Sequence, residues 1–305
     1  MKGRKYLLLV FVLLLAATPL YAGSEEKTDA IVAYTEELYD EPFDTDALRD
    51  PVAKALNEGI SQEQLTTFIA ANIQTDVEIP ELVFYLENIS ATQAEGLPSY
   101  LIMNTILEGI AKGATEEEMR TSLMTSKKQI RFCHTVSVGH NRKVNRSSRE
   151  TTLLTAALYN ALHMGFSEDA LEQLSTSVLA HHRSSVMFLN SLEVLMELHS
   201  LGLENEQSIL LIENAIIQDY RVGHIRSFPM IFSTHMNRGF SQEEIFAALQ
   251  EDIKYSRAPS LGSDEGTTYS GHDRNSEGSG SGGNSPSQDT SQSSGNNKKG
   301  GNGRK

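Results

Sequence analysis

The sequence predicts an all-α protein: repeated helix–turn–helix hairpins, with a period of about 37 residues, packed as an α-solenoid or helical array. Glycine recurs in one local context, and three of the intervals between such glycines, Gly59 to Gly96, Gly165 to Gly202 and Gly202 to Gly239, are equal and set that period. Apolar residues between the glycines repeat at helical spacing, as in Leu154, Ala157, Leu158, Ala161 and Leu162. No alternating β-branched run competes with them.

The context of each glycine has a mechanical reason. Gly59, Gly96, Gly113, Gly165, Gly202 and Gly239 stand where a helix can end in the left-handed conformation. An apolar residue follows most of them, and then Ser61, Thr115, Ser167 or Ser241 serves as a natural N-cap. Gln64, Glu118 and Glu244, three positions beyond their caps, complete capping boxes, and Leu65, Met119, Leu171 and Ile245 can close a hydrophobic staple. Two motifs depart from the pattern: Ala170 replaces the acid or amide after Gly165, and Ser208 replaces the staple after Gly202. Gly113 falls off the period, because it follows Gly96 too soon.

Helices are predicted near 46–57, 62–73, 80–94, 99–111, 116–133, 149–163, 168–181, 185–200, 205–219, 226–237 and 242–255. Pro51, Pro80, Pro98 and Pro229 fall near predicted helix starts, where a missing N–H does no harm. Together these segments form a helical repeat domain over 46–257, with an irregular basic loop near 134–148 around Gly139. Gly109 interrupts a predicted helix at a cost of about 1 kcal/mol relative to alanine, which points to close approach of another helix.

The ends differ in kind. Residues 1–22 read as a signal peptide: Lys2, Arg4 and Lys5, then an apolar run from Leu7 to Ala17, then a cleavage region ending at Ala22. Its removal takes the net charge from −14 to −17 by deleting three cations and no acid. Such a balance excludes general affinity for nucleic acid or anionic lipid. No later stretch is long or apolar enough for a transmembrane segment. Residues 23–45 form an acidic N-terminal segment. Residues 258–305 form a tail with 11 Gly and 11 Ser, too poor in apolar side chains to order. The address is therefore exported, in the periplasm or outside the cell. A single cysteine, Cys133, excludes a disulfide scaffold.

One run carries a resemblance. Glu95-Gly-Leu-Pro98 followed by Glu108-Gly-Ile-Ala-Lys-Gly113 resembles a group of uncharacterised exported bacterial proteins with a Gly-Leu-Pro … Glu-Gly-Leu-Ala-Lys-Gly run and further Gly-capped helix pairs. The resemblance implies a helical secreted protein and brings no activity with it.

Candidate chemistry is sparse. Arg120 to Arg149 contains Arg120, Lys127, Lys128, Arg131, Arg142, Lys143, Arg146 and Arg149 and no acid. Lys127, Lys128, Arg131, Arg142, Lys143, Arg146 and Arg149 are the candidate anion- or partner-binding residues. The competing use of this stretch is to balance Ser24–Asp50, where ten acids meet two cations. The nine histidines include no His-Glu-x-x-His and no same-face His pair, so no metal or other cofactor is expected. Cys133 as a nucleophile would need a base brought by the fold, such as His163, His199 or His235. No catalytic constellation emerges. The expected function is non-catalytic binding or scaffolding in the cell envelope, toward another envelope protein or an anionic envelope polymer. The alternative is a cell-wall-directed hydrolase or an accessory to one.

Overall fold

A computed structural model describes residues 23–38, 46–75, 77–144 and 148–255, with residues 142–144 and 148 described as backbone only. Residues 1–22, expected to be a signal peptide, the tail from 256 onward and Arg146 lie outside the described residues. Every regular element described is an α-helix. In chain order they are α1 (Ser24–Leu38), α2 (Asp46–Asn57), α3 (Gln62–Ile73), α4 (Ile79–Ala94), α5 (Tyr100–Ala111) and α6 (Glu116–Val144). There follow α7 (Ser148–His163), α8 (Glu168–Ala180), α9 (Ser185–Ser200), α10 (Asn205–Ile217), α11 (Val222–Arg226), α12 (Phe228–Met236) and α13 (Gln242–Lys254). None of them is long and apolar enough to cross a membrane.

One joint connects most of these helices. All six motif glycines have positive φ, between 69° and 97°. Each donates its N–H to the carbonyl three positions back, and the next residue donates to the carbonyl five back, as in Gly202 to His199 (2.8 Å) and Leu203 to Leu198 (3.0 Å). The paired bonds satisfy carbonyls that a helix end leaves open. Ser61 and Ser241 then close capping boxes with Gln64 and Glu244, and Thr115 does so with Glu118. Ser167 caps through Ala170 N–H at 3.2 Å, so the missing acid costs only half the box. Glu204, after Gly202, makes no side-chain cap.

Two further joints use the same bonds without glycine. His182 (φ 53°) donates to Leu179 and Arg183 to Val178; Asp219 (φ 62°) donates to Ile216 and Tyr220 to Ala215. From Gly165 onward the joints are Gly165, His182, Gly202, Asp219 and Gly239, with a shorter step and a longer one in alternation. Gly113 stands as far beyond Gly96 as His182 stands beyond Gly165, so it takes the shorter step and is not an irregularity.

Three expectations are corrected. The acidic segment 23–45 carries α1, which buries Ile31, Val32 and Tyr34 and packs on α2 and α3. The loop expected from residue 134 is helical as far as Val144, because α6 runs 29 residues through Gly139. Pro51 sits beyond the first turn of α2, buried. Its missing N–H is borne by the helix interior, at a site where proline is normally costly.

The helices pack as neighbours and as next-but-one neighbours: α1 on α3, α3 on α5, α2 on α4, α6 on α8, α7 on α9 and α8 on α10. The apolar faces meet in one connected core that extends from Ile31 to Ile253. Gly109 on α5 lies under the Met119 side chain of α6, the close approach expected from its place in the helix; a Cβ there would overlap the methionine's methyl group.

Candidate functional site

As far as Val144 the acid-free stretch is helical, where a loop was expected from residue 134. At 100° per residue, Arg120, Lys127 and Arg131 of α6 fall within an arc of about 40°. Each is already engaged. Arg120 donates to Glu116 one turn earlier, at 2.7 and 3.0 Å, and its guanidinium lies 4.1 Å from the centre of the Phe84 ring. Arg131 donates to both oxygens of Glu95 at 2.7 and 2.8 Å, and Lys127 approaches the same carboxylate at 3.1 Å. Glu95 is the C-cap residue of α4, so one acid of the Glu-Gly-Leu-Pro run ties α4 to α6. The bidentate bond from Arg131, with Lys127 beside it, holds the Glu95 carboxyl down at about 2.

The remaining candidates are spread along the same hairpin. Lys128 is exposed on α6 and Arg149 on the first turn of α7, and neither forms an ion pair among the described residues. Arg142 and Lys143 belong to the last turn of α6, and Arg146 lies outside the described residues. The acids that neutralise the described cations are Glu95 and Glu116. Asp29, from the acidic segment, pairs instead with Arg49.

Cys133 is not placed as a nucleophile. It is buried, and burial with a smaller contribution from Glu168 pushes its thiol up to about 12. The three histidines considered as bases lie against aromatic rings: His163 on Tyr159, His199 on Phe166 and His235 on Phe240. Among the described residues no three His, Cys, Asp or Glu side chains gather as metal ligands.

Nothing in the local sequence marks the polar interior beside α6. Asn141 donates to Thr151 of α7 at 2.9 Å and accepts from Ser185 of α9 at 2.7 Å. His140 stacks on Phe188 of α9, centroids 4.8 Å apart, with Ser175 of α8 3.4 Å from its Nδ1. Nearer the start of α6, Thr105, Tyr159 and Ser126 join α5, α7 and α6 through hydroxyl contacts of 2.9 and 3.4 Å. These buried groups hydrogen-bond from helix to helix, which fixes how the helices meet.

The molecule is thus an all-α protein with one recurring joint, a basic helix face on which Arg120, Lys127 and Arg131 are paired with acids, and a buried thiol. No family model, curated protein or solved structure matches it.

Proposed function

We propose that the chain is a non-catalytic binding or scaffolding protein of the bacterial cell envelope, built as a stacked array of helical hairpins. The supporting observation is that side chains meet across one period. Gln173 donates to Glu213 at 3.2 Å, Arg183 pairs with Asp219, and Arg131 pairs with Glu95, at separations of 40, 36 and 36 residues. Asn205 sits against Gly165 and Gln242 against Gly202, at a like separation. Equivalent contacts at one repeat length are what stacked units make, and such stacks present long surfaces to partners. The leader-like residues 1–22 and the Glu-Gly-Leu-Pro … Lys-Gly run support export and membership of the exported helical-hairpin group.

In this reading Lys128, Arg142, Lys143, Arg146 and Arg149 contact an anionic partner, while Glu95 fixes Lys127 and Arg131 in place beside them. N-terminal sequencing of the protein from a bacterial envelope fraction tests the address, with Gly23 as the expected first residue. Quantitative capture with envelope extract tests the role. A stoichiometric partner lost on reversal of Arg142, Lys143 and Arg146 to Glu supports it, and release of soluble fragments from purified cell wall overturns it in favour of a hydrolase.

A further inference from the structure

A second surface, far from the basic face in sequence, has the form of a groove. Helices α8, α10 and α13 lie side by side, with α10 in the middle. Two crevices flank α10, of about 500 Å³ on the α8 side and about 390 Å³ on the α13 side. Four acids line them, Asp169, Glu172, Glu213 and Glu251, against one cation, Lys254. Between the acids stand the carboxamides of Gln173, Asn214, Gln218 and Gln250. Ile217, 50% exposed, and Tyr255, 53% exposed, supply apolar footing in the two crevices.

We propose that this face docks an extended peptide segment of a partner protein, carrying lysine or arginine, laid across α8, α10 and α13. Three features select that occupant. The charge complements a cation-bearing chain. Carboxamides can donate to a peptide carbonyl and accept from its N–H at once, whereas a simple cation uses only their oxygens. One of them, the Nε2 of Gln250, is buried without a hydrogen-bond partner, and turning that carboxamide outward to a docked backbone carbonyl would relieve it. The size also fits. Three helix axes 8–10 Å apart span roughly 16–20 Å, which an extended chain crosses in about five or six residues. Glu213 adds a reason for a cation: it is half-buried, and burial raises its carboxyl above the usual range even with Gln173 donating to it.

The test is fluorescence anisotropy of the full chain with a labelled octapeptide alternating Lys and Ser, at about 0.15 M salt to screen diffuse attraction. Its backbone-N-methylated analogue and spermine serve as comparison ligands. Removing two charges from the groove with Glu172→Gln and Glu213→Gln should weaken the octapeptide about tenfold. Removing two from α9 with Glu193→Gln and Glu197→Gln should leave it unchanged, with melting temperatures matched in both variants. Asn214→Ala with Gln218→Ala should weaken the octapeptide by a clearly larger factor than spermine. Equal loss in the α9 variant, or equal binding of the N-methylated peptide, shows only a diffuse cation atmosphere and overturns the proposal. So does failure of the octapeptide to bind. Self-association by light scattering that only the groove variants abolish would give the groove to a second copy, and would overturn it too.

Discussion

Replacing Gly202 with alanine separates two costs that the joints combine. The backbone at Gly202 has φ +97°, and at Gly59 it has φ +90°, so alanine is strained at both. A left-handed alanine costs about 1–2 kcal/mol. Restricting the unfolded chain returns about 0.4–1 kcal/mol of that, which leaves about 1 kcal/mol net. At Gly59 nothing lies within reach of the new methyl group. At Gly202 the methyl overlaps the Nε2 of Gln242, the first residue of α13. Moving that carboxamide off its rotamer adds about 0.5–1.5 kcal/mol. Gly59→Ala should therefore cost about 1 kcal/mol and Gly202→Ala about 2 kcal/mol.

Differential scanning calorimetry reads the difference. For a body of this size one kcal/mol moves the melting temperature by about 2–4 °C. Gly59→Ala should fall by that amount, and Gly202→Ala by about twice as much. Gln242→Ala placed in the Gly202→Ala background should erase the excess, since it removes the overlapping group. Equal losses at Gly59 and Gly202, or an excess that survives Gln242→Ala, would refute the idea that the first residue of α13 seats on the joint before it.

Glu95→Gln should destabilise by no more than about 1 kcal/mol at neutral pH, because the pair is part-exposed. Since the native carboxyl is held at about 2, below its ordinary 4.5, that contribution is complete above pH 4.5 and lost as pH falls through 2, where wild type and variant melting curves should converge. His182→Gly should raise the urea midpoint by the equivalent of about 0.5–1 kcal/mol, the left-handed cost less the extra entropy of an unfolded glycine. Cys133 should resist a thiol-specific chromophoric disulfide at pH 8 in the native protein and react at once in urea, because its thiol is pushed up to about 12 by burial; rapid native reaction would show that the core around α6 opens.

What the sequence made legible was the punctuation. Glycine at a helix end needs no partner to be understood, so all six motif glycines could be assigned before their φ angles were known. His182 and Asp219 make the same joint with side chains attached, and nothing local marks them. Without them the half-period was invisible, and Gly113 looked misplaced. Helix α1 was hidden for another reason: its mean hydropathy is near neutral, and charge dominated the reading. Arg120, Lys127 and Arg131 lie on the helix expected over 116–133, but the partner of the last two, Glu95, lies 36 residues before Arg131 and nothing local points to it, while Arg142 and Lys143, expected in a loop, continue the same helix.

Helix α6 runs through a position where the joint spacing would place a turn. The longer step between joints is the one from His182 to Gly202 and from Asp219 to Gly239; the same step taken from Gly113 ends on Cys133. Neither glycine nor a residue of positive φ stands there, and Cys133 is buried within the helix. The chain stays helical instead, and two helices of ordinary length become one of 29 residues. The first half of that helix holds α4 and α5, through Glu95 and through Thr105 with Ser126. The second half holds α7, α8 and α9, through Asn141 and His140. A helix rich in cations and carrying Gly139 has weak intrinsic support, so these buried polar contacts, rather than propensity, keep its second half helical. The fused helix then acts as a single bar between the Gly59–Gly113 joints and the Gly165–Gly239 joints. The basic face that it carries has its orientation set by both sides, which is the arrangement that the proposed scaffold, with a fixed contact surface, requires.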